Sequence, residues 1–165
     1  MTAFTTGNPA FSERDLFRLA AQHFGKHGTI RPLPSERDQN ARLACDGQDY
    51  VFKIANPAED PGQIDLQNAT MLHLALVGQP GIPRVVPTLA GADRALVDVN
   101  GQPSAMRLVT WVGGTPLAEA PRSIDQLRNL GHFMGGLTRS MQGFGHPQAF
   151  RPDFVWSLDH VIQLR

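Results

Sequence analysis

Two short apolar runs flank the dipeptide Asp46-Gly47, and this arrangement constrains the fold more than any other feature of the sequence. The runs cover residues 40–45 and 50–55. An Asp-Gly pair between two such runs is a strong signal for a two-residue β-hairpin, because both turn positions require a positive φ. A further strand-like run covers residues 29–33. The sequence therefore predicts three consecutive antiparallel strands.

Lys53 stands in the middle of the second run, between Phe52 and Ile54. Lysine is depleted in strands and is almost never buried without a partner. Two explanations are open: either the strand is an exposed edge, or the ammonium group meets an anion. Alternation along a strand places Val51 and Lys53 on one face, so an apolar surface for a base would lie beside a cation for phosphates.

The rest of the chain alternates between helical and strand-like patterns. Helical spacing begins at Ser12 and reaches Phe24, and it recurs over residues 62–77 and, after a capping box at Ser123, over 124–141. Further strands are expected over residues 85–89, 95–100 and 105–111. A glycine- and proline-rich connector then begins at Val112, where the pattern changes from mostly β to α.

Composition excludes several classes of protein. The 165 residues carry 15 basic and 15 acidic side chains, so we expect neither a nucleic-acid partner nor an anionic membrane surface. Cys45 is the only cysteine, which excludes an internal disulfide and favours a cytoplasmic location. The N-terminus lacks the features of a secretory signal, and no apolar stretch approaches the roughly 18 residues of a membrane span. The six histidines show no metal-ligand spacing.

The order of elements is typical of a kinase N-lobe, in which a lysine on the third strand holds nucleotide phosphates. Five segments also resemble the aminoglycoside phosphotransferase family, and within it the branch of hydroxylysine kinases and of phosphotransferase domains fused to class III aminotransferases. These segments are LPSERDQNARL (33–43), YVFKIANPAEDPGQIDLQNATMLHLA (50–75), PRVVPTLAG (83–91), MRLVTWVGGTPLA (106–118) and LRNLGHFMGGLTRSMQGFGHP (127–147).

The resemblance implies an α+β, protein-kinase-like fold. Residues 1–111 would form the N-lobe, with an antiparallel sheet of five or six strands and one packed helix. Residues 112–118 would be the hinge, and residues 119–165 the first helices of a truncated helical C-lobe. The implied activity is transfer of phosphate from ATP or GTP, with Mg²⁺, to a hydroxyl of a small amine such as an amino alcohol, a hydroxy amino acid or an aminoglycoside-like substrate.

The resemblance also implies roles for particular residues. Lys53 would contact the nucleotide phosphates beside Val51, and the 35–40 segment, which by composition could be an ordinary solvated turn, would lie over them. The hinge would meet the base through its backbone groups. The family often has a helix glutamate that pairs with the lysine, and the matching residue here is Gln67, which would accept a hydrogen bond from Lys53 without carrying a charge. Asp65 is the nearest acid, but at about 100° per residue it points about 160° away from Gln67. The further residues implied in the loop and the hinge are Ser35, Asp38, Asn40, Thr110, Trp111 and Val112.

The H-G-D-x-x-x-x-N catalytic loop of this family does not occur in the sequence. We therefore expect no catalytic residue and no metal ligand within these 165 residues, and no phosphate transfer by this chain alone. Two other functions stay open, namely a non-catalytic nucleotide-binding or regulatory module of a fused enzyme, and a structural interaction domain. The apolar residues 154–164 have no following element to cover them, which leaves a homodimer through this segment as a further possibility.

Overall fold

A six-stranded antiparallel sheet forms the body of the computed structural model, which describes residues 7–151. The spatial order of its strands is β1-β2-β3-β6-β4, and β5 also pairs with β6. The nine-residue strand β6 pairs with β3 along one edge and with both β5 and β4 along the other. The predicted α+β class with five or six antiparallel strands is confirmed. The strands are β1 (Thr29–Leu33), β2 (Gln39–Cys45), β3 (Gln48–Ile54), β4 (Val85–Val86), β5 (Ala95–Val99) and β6 (Gln102–Thr110).

Two tight turns determine the register of this sheet. Asp46 and Gly47 have φ values of 53° and 73°, as the two-residue hairpin between β2 and β3 requires. Asn100 and Gly101, with φ values of 54° and 82°, make the same kind of turn between β5 and β6. Strand β4 is shorter than the expected 85–89 because the next residue is a proline, which has no N–H to donate.

The hydrophobic core lies between one face of the sheet and the helix α1 (Glu13–Phe24). Ser12 caps this helix by accepting a hydrogen bond from the backbone N–H of Asp15, and Gly25 ends it in the left-handed conformation. Alternation along β3 sends every second side chain into this core. The core residues are Leu16, Leu19, Ala20, Phe24, Ile30, Ala41, Leu43, Cys45, Tyr50, Phe52, Ile54, Val99, Met106 and Leu108.

The opposite face of the sheet is covered in part by the helix α2 (Pro61–Leu76). Asp60 caps it by accepting from the N–H of Gly62, and Pro61 occupies the first turn, where its missing N–H costs nothing. The observed bounds differ by one residue from the predicted 62–77. Two of its four buried residues, Gln63 and Asn68, are polar, so this helix is held by hydrogen bonds as well as by apolar contacts.

The third helix, α3 (Ile124–Ser140), begins at the predicted cap, where Ser123 accepts from the N–H of Gln126. None of its residues is buried. It reaches α2 through its last residue, whose carbonyl lies 2.8 Å from a ring nitrogen of His73. In the described part of the chain no helix combines the length and the hydropathy that a membrane crossing needs. The predicted homodimer segment 154–164 lies outside the described residues.

Candidate functional site

Lys53 lies on β3, a central strand that is hydrogen-bonded to β2 on one side and to β6 on the other. The explanation of this lysine as an exposed edge residue is therefore wrong. The register places Lys53 between Asn40 of β2 and Arg107 of β6, in one row across the sheet. Directly opposed residues of antiparallel strands point to the same face, so the three side chains share the face away from the α1 core.

The side chain of Lys53 is held by the segment that joins β1 to β2. Its Nζ donates to the Asn40 Oδ1 at 2.8 Å, and the Asn40 Nδ2 donates to the Ser35 Oγ at 3.0 Å. The Asp38 Oδ2 lies 4.0 Å from the same ammonium nitrogen, while the Asp38 Oδ1 accepts from the backbone N–H of Asn56. The structure thus brings together four of the residues expected to form the phosphate end of a nucleotide site.

The surroundings of Lys53 lower the pKa of its amine. Burial lowers the pKa of the ammonium because it removes water from the charged form, and the positive charge of Arg107 lowers it further. The carboxylate of Asp38 acts in the opposite direction. The Lys53 side chain is still 25% exposed, so the amine can be reached from solvent. A half-buried cation with incomplete compensation is a favourable site for a phosphate oxygen.

Gln67 lies in a different place from the one the sequence predicted. Its Oε1 accepts a hydrogen bond from the Arg107 Nη2 at 2.8 Å, so the expected pairing of Gln67 with Lys53 is not what the structure has. The reason is the register between β3 and β6, which puts Arg107 between Lys53 and α2. Asp65 points away, as expected, and pairs with Arg94.

Sequence reasoning missed Arg107 and Asn68. Arg107 is 2% exposed, and its guanidinium donates to the Asn68 Oδ1 at 3.0 Å as well as to Gln67. Asn68 is fully buried and also donates to the Asp93 Oδ2 at 3.0 Å. One signal was available in the sequence, because Arg107, like Lys53, is a cation inside an apolar run.

The predicted hinge residues Thr110, Trp111 and Val112 follow one another at the end of β6. Two of their backbone N–H groups are already engaged, that of Thr110 by the carbonyl of Arg84 and that of Trp111 by the carbonyl of Asp49. The N–H of Val112 makes no hydrogen bond within residues 7–151, and Val112 is exposed. Of the three N–H groups, that of Val112 is therefore the one available to a base.

Val51 lies two residues before Lys53 on the same face of β3 and is directly opposed by Val109 of β6. This pair forms the apolar surface that the alternation predicted beside the lysine. A concavity of about 920 Å³ lies elsewhere, against the outer side of α1. We place the site at Lys53 because the predicted loop, the cation and the apolar pair meet there.

A central-strand lysine next to an apolar pair, with a helix behind the strand and a glycine- and proline-rich connector after the sheet, is the arrangement of a kinase-like N-lobe. The sequence model of the phosphotransferase enzyme family matches residues 29–164, and the chain belongs to this family.

Hydroxylysine kinase from Mus musculus is 29% identical over 94% of this chain and 46% of its own length, and that from Bos taurus is 30% identical over 93% and 45%. The chain thus spans about half the length of the curated relatives it matches. A solved amicoumacin kinase in complex with AMP-PNP, Ca²⁺ and Ami aligns with a TM-score of 0.74 over 93% of this chain and 48% of its own, at 15% identity. This last likeness shows the fold alone.

Proposed function

We propose that this chain is the nucleotide-binding half of a small-molecule kinase, with Lys53 as the residue that contacts the phosphates of ATP or GTP. The observation that carries this proposal is the position of the ammonium group. It lies on a central strand, 25% exposed, between an amide and a second cation, and not at an edge where it would face bulk water.

In this proposal different residues around Lys53 contact different parts of the nucleotide. Asn40 at the start of β2 accepts from the Lys53 amine, and Ser35 of the β1–β2 loop accepts from Asn40 in turn. The pair Val51 and Val109 offers an apolar surface to the base, and the N–H of Val112 is free to donate to it. Mg²⁺ would accompany the nucleotide phosphates. Within residues 7–151 no group of three or more histidine, cysteine or acidic side chains could hold a metal. The chain spans about half the length of its curated relatives, and we propose that the metal ligands belong to the part that it does not span.

The acceptor in this proposal is a hydroxyl group on a small amine. Hydroxylysine kinase is named for a substrate that carries both groups. The family match and the 29% identity to that kinase therefore support an amino alcohol or a hydroxy amino acid as the acceptor over other classes of acceptor. We also propose that residues 1–111 act as the N-lobe, 112–118 as the hinge and 119–165 as the start of the C-lobe.

The sequence contains only two lysines, Lys26 and Lys53, and this permits a direct test. Lys26 lies over the ring of Tyr50, whose side chain is on the core face of the sheet. Acylation of lysine by a small reagent, followed by mass spectrometry of the peptides, reports both sites in one sample. Millimolar ATP with Mg²⁺ is expected to slow the labelling of Lys53 at least severalfold and to leave Lys26 unchanged.

Two variants separate nucleotide binding from a general effect of charge. Lys53→Met is expected to remove the binding of ATP measured by calorimetry, whereas Lys26→Met removes the same charge from the other face and should bind as the unsubstituted chain does. Equal protection of both lysines, or full ATP affinity in Lys53→Met, would show that this amine does not contact phosphate.

A further inference from the structure

Two cations lie side by side on the face of the sheet that points away from α1. Lys53 and Arg107 are direct partners across β3 and β6, and like charges in this arrangement repel each other. The two hydrogen-bond partners of the Arg107 guanidinium within residues 7–151 are both neutral amides, Gln67 and Asn68. The carboxylates of Asp38, Asp93 and Glu59 attract the guanidinium, and Arg94 repels it, but within residues 7–151 no carboxylate accepts a hydrogen bond from it. Asp38 lies 4.0 Å from the Lys53 Nζ.

Arg107 is a charged side chain that has been removed from water. Arg107 is 2% exposed, and its Nε has no hydrogen-bond partner in the described part of the chain. A buried cation is normally paired with a carboxylate, because the desolvation of an unpaired charge is expensive. If Arg107 served only to fasten α2, a glutamate at position 67 would fasten it more strongly. Because both hydrogen-bond partners are neutral amides, the positive charge of Arg107 is not paired directly with a carboxylate and can act on an anion bound at Lys53.

We propose that Arg107 is the second cation of the phosphate site, and that it acts from behind Lys53. It raises the affinity for the multiply charged end of a nucleoside triphosphate through its positive field, while Gln67 and Asn68 hold the guanidinium without pairing it directly with a carboxylate. Arg107 is thus a positioning residue that favours a nucleoside triphosphate over a monophosphate. This inference rests on the proposed function of Lys53.

Gln67→Glu is the decisive variant. Gln67 is exposed, so the substitution leaves the packing intact and places a carboxylate where the Arg107 Nη2 now donates to an amide. The affinity for ATP, measured by calorimetry with Mg²⁺, is expected to fall by about tenfold, since a neighbouring unit charge contributes on that order in a partly buried site. The affinity for AMP should change much less. Leu72→Glu, at an exposed position of the same helix, adds the same charge away from Arg107 and should change neither affinity.

A readout that does not depend on nucleotide tests how Arg107 acts. The pH dependence of acylation at Lys53 follows the proton on its amine, and the positive charge of Arg107 holds the pKa of that amine down. In Arg107→Gln, which removes this charge and leaves the neighbouring carboxylate of Asp38 in place, the profile of Lys53 should move to higher pH, while the profile of Lys26 in the same sample stays where it was. If the charge of Arg107 does not reach the amine, both profiles stay in place.

The possible results separate the two proposals. If ATP does not protect Lys53 in the unsubstituted chain, the proposed function fails and this inference fails with it. If ATP protects Lys53 but Gln67→Glu binds ATP as tightly as before, or more tightly, the role of Arg107 alone is overturned. Tighter binding would mean that the new carboxylate pairs with Lys53, as the resemblance to the family implied. Arg107→Gln, which removes the charge and keeps hydrogen-bonding groups, should reproduce the loss of preference for ATP over AMP.

Discussion

Asn68 is the buried residue that joins α2 to the sheet by a hydrogen bond, beside the exposed Gln67, and the structure allows the strength of that link to be predicted. Its side chain is fully buried and makes two hydrogen bonds of 3.0 Å, one accepted from the Arg107 Nη1 and one donated to the Asp93 Oδ2. The substitution Asn68→Leu keeps about the same volume and removes both bonds. It leaves the buried Arg107 with Gln67 as its last partner.

The two lost bonds differ in cost. The bond to the guanidinium involves a charged group that water cannot reach, so its loss is expected to cost about 1.5–3 kcal/mol. The bond to Asp93 costs about 1 kcal/mol or less, because that carboxylate is partly exposed and can be hydrated instead. We expect Asn68→Leu to lower the free energy of unfolding by about 2–4 kcal/mol, a large part of the roughly 5–15 kcal/mol typical of a folded domain.

A double-mutant cycle isolates the link between Asn68 and Arg107. Arg107→Met alone leaves the Asn68 Oδ1 buried without its donor, whereas the double variant removes both partners and leaves neither unsatisfied. The double variant should therefore be less destabilised than the sum of the single ones, with a coupling energy of about 1.5–3 kcal/mol. Urea unfolding followed by circular dichroism measures all four proteins.

The same assay includes a control pair. Leu16→Ala lies on the other face of the sheet and should combine additively with Asn68→Leu, because the two sites share no partner. If the cycle between Asn68 and Arg107 were additive within about 0.5 kcal/mol, the hydrogen bond would contribute nothing to the docking of α2 and the reasoning would be refuted.

Three further outcomes follow from other parts of the molecule. Folding lowers the pKa of Lys53, so the unfolded chain binds the proton more tightly than the folded chain does. The free energy of unfolding of the unsubstituted chain, relative to that of Lys53→Met, should therefore rise with pH over the alkaline range that ends at about 10.4. A difference that falls or stays flat in unfolding curves would contradict this. Leu16→Ala, at 1% exposure between α1 and the sheet, should cost about 2–5 kcal/mol in the same curves. Gly28→Ala would drive a Cβ into the Ala44 carbonyl oxygen and should lower the melting temperature markedly, whereas Gly145→Ala, whose Cβ would have no atom of residues 7–151 within 4 Å, should not.

The parts of the fold that depend on local chemistry were predictable from the sequence. The hairpin at Asp46-Gly47 follows from two residues that tolerate a positive φ, and the first turns of α1 and α3 follow from the serine caps at positions 12 and 123. The position of Lys53 on the non-core face follows from alternation along β3. Each of these inferences uses residues that are neighbours in the sequence.

The contacts that could not be predicted join residues far apart in the chain. Strand β6 follows β3 only after a helix and two other strands, so local patterns do not determine the register that sets Arg107 opposite Lys53. For the same reason the helical wheel identified Gln67 as polar but could not name its partner. The charged residue inside the 105–111 run was a sufficient signal for a second functional cation, had the two strands been known to be neighbours.

The two faces of β3 connect the stability of the fold to the proposed site. Tyr50, Phe52 and Ile54 are at most 5% exposed and fix which side chains point toward α1. A slip of one residue would turn this whole set outward and bring Lys53 into the core, so the burial of three apolar side chains strongly disfavours that alternative. The correct register in turn sets Lys53 between Asn40 and Arg107. The repulsion between Lys53 and Arg107 is therefore opposed by apolar burial on the other face of the same strand. This burial allows the chain to hold two cations next to each other at the proposed phosphate site.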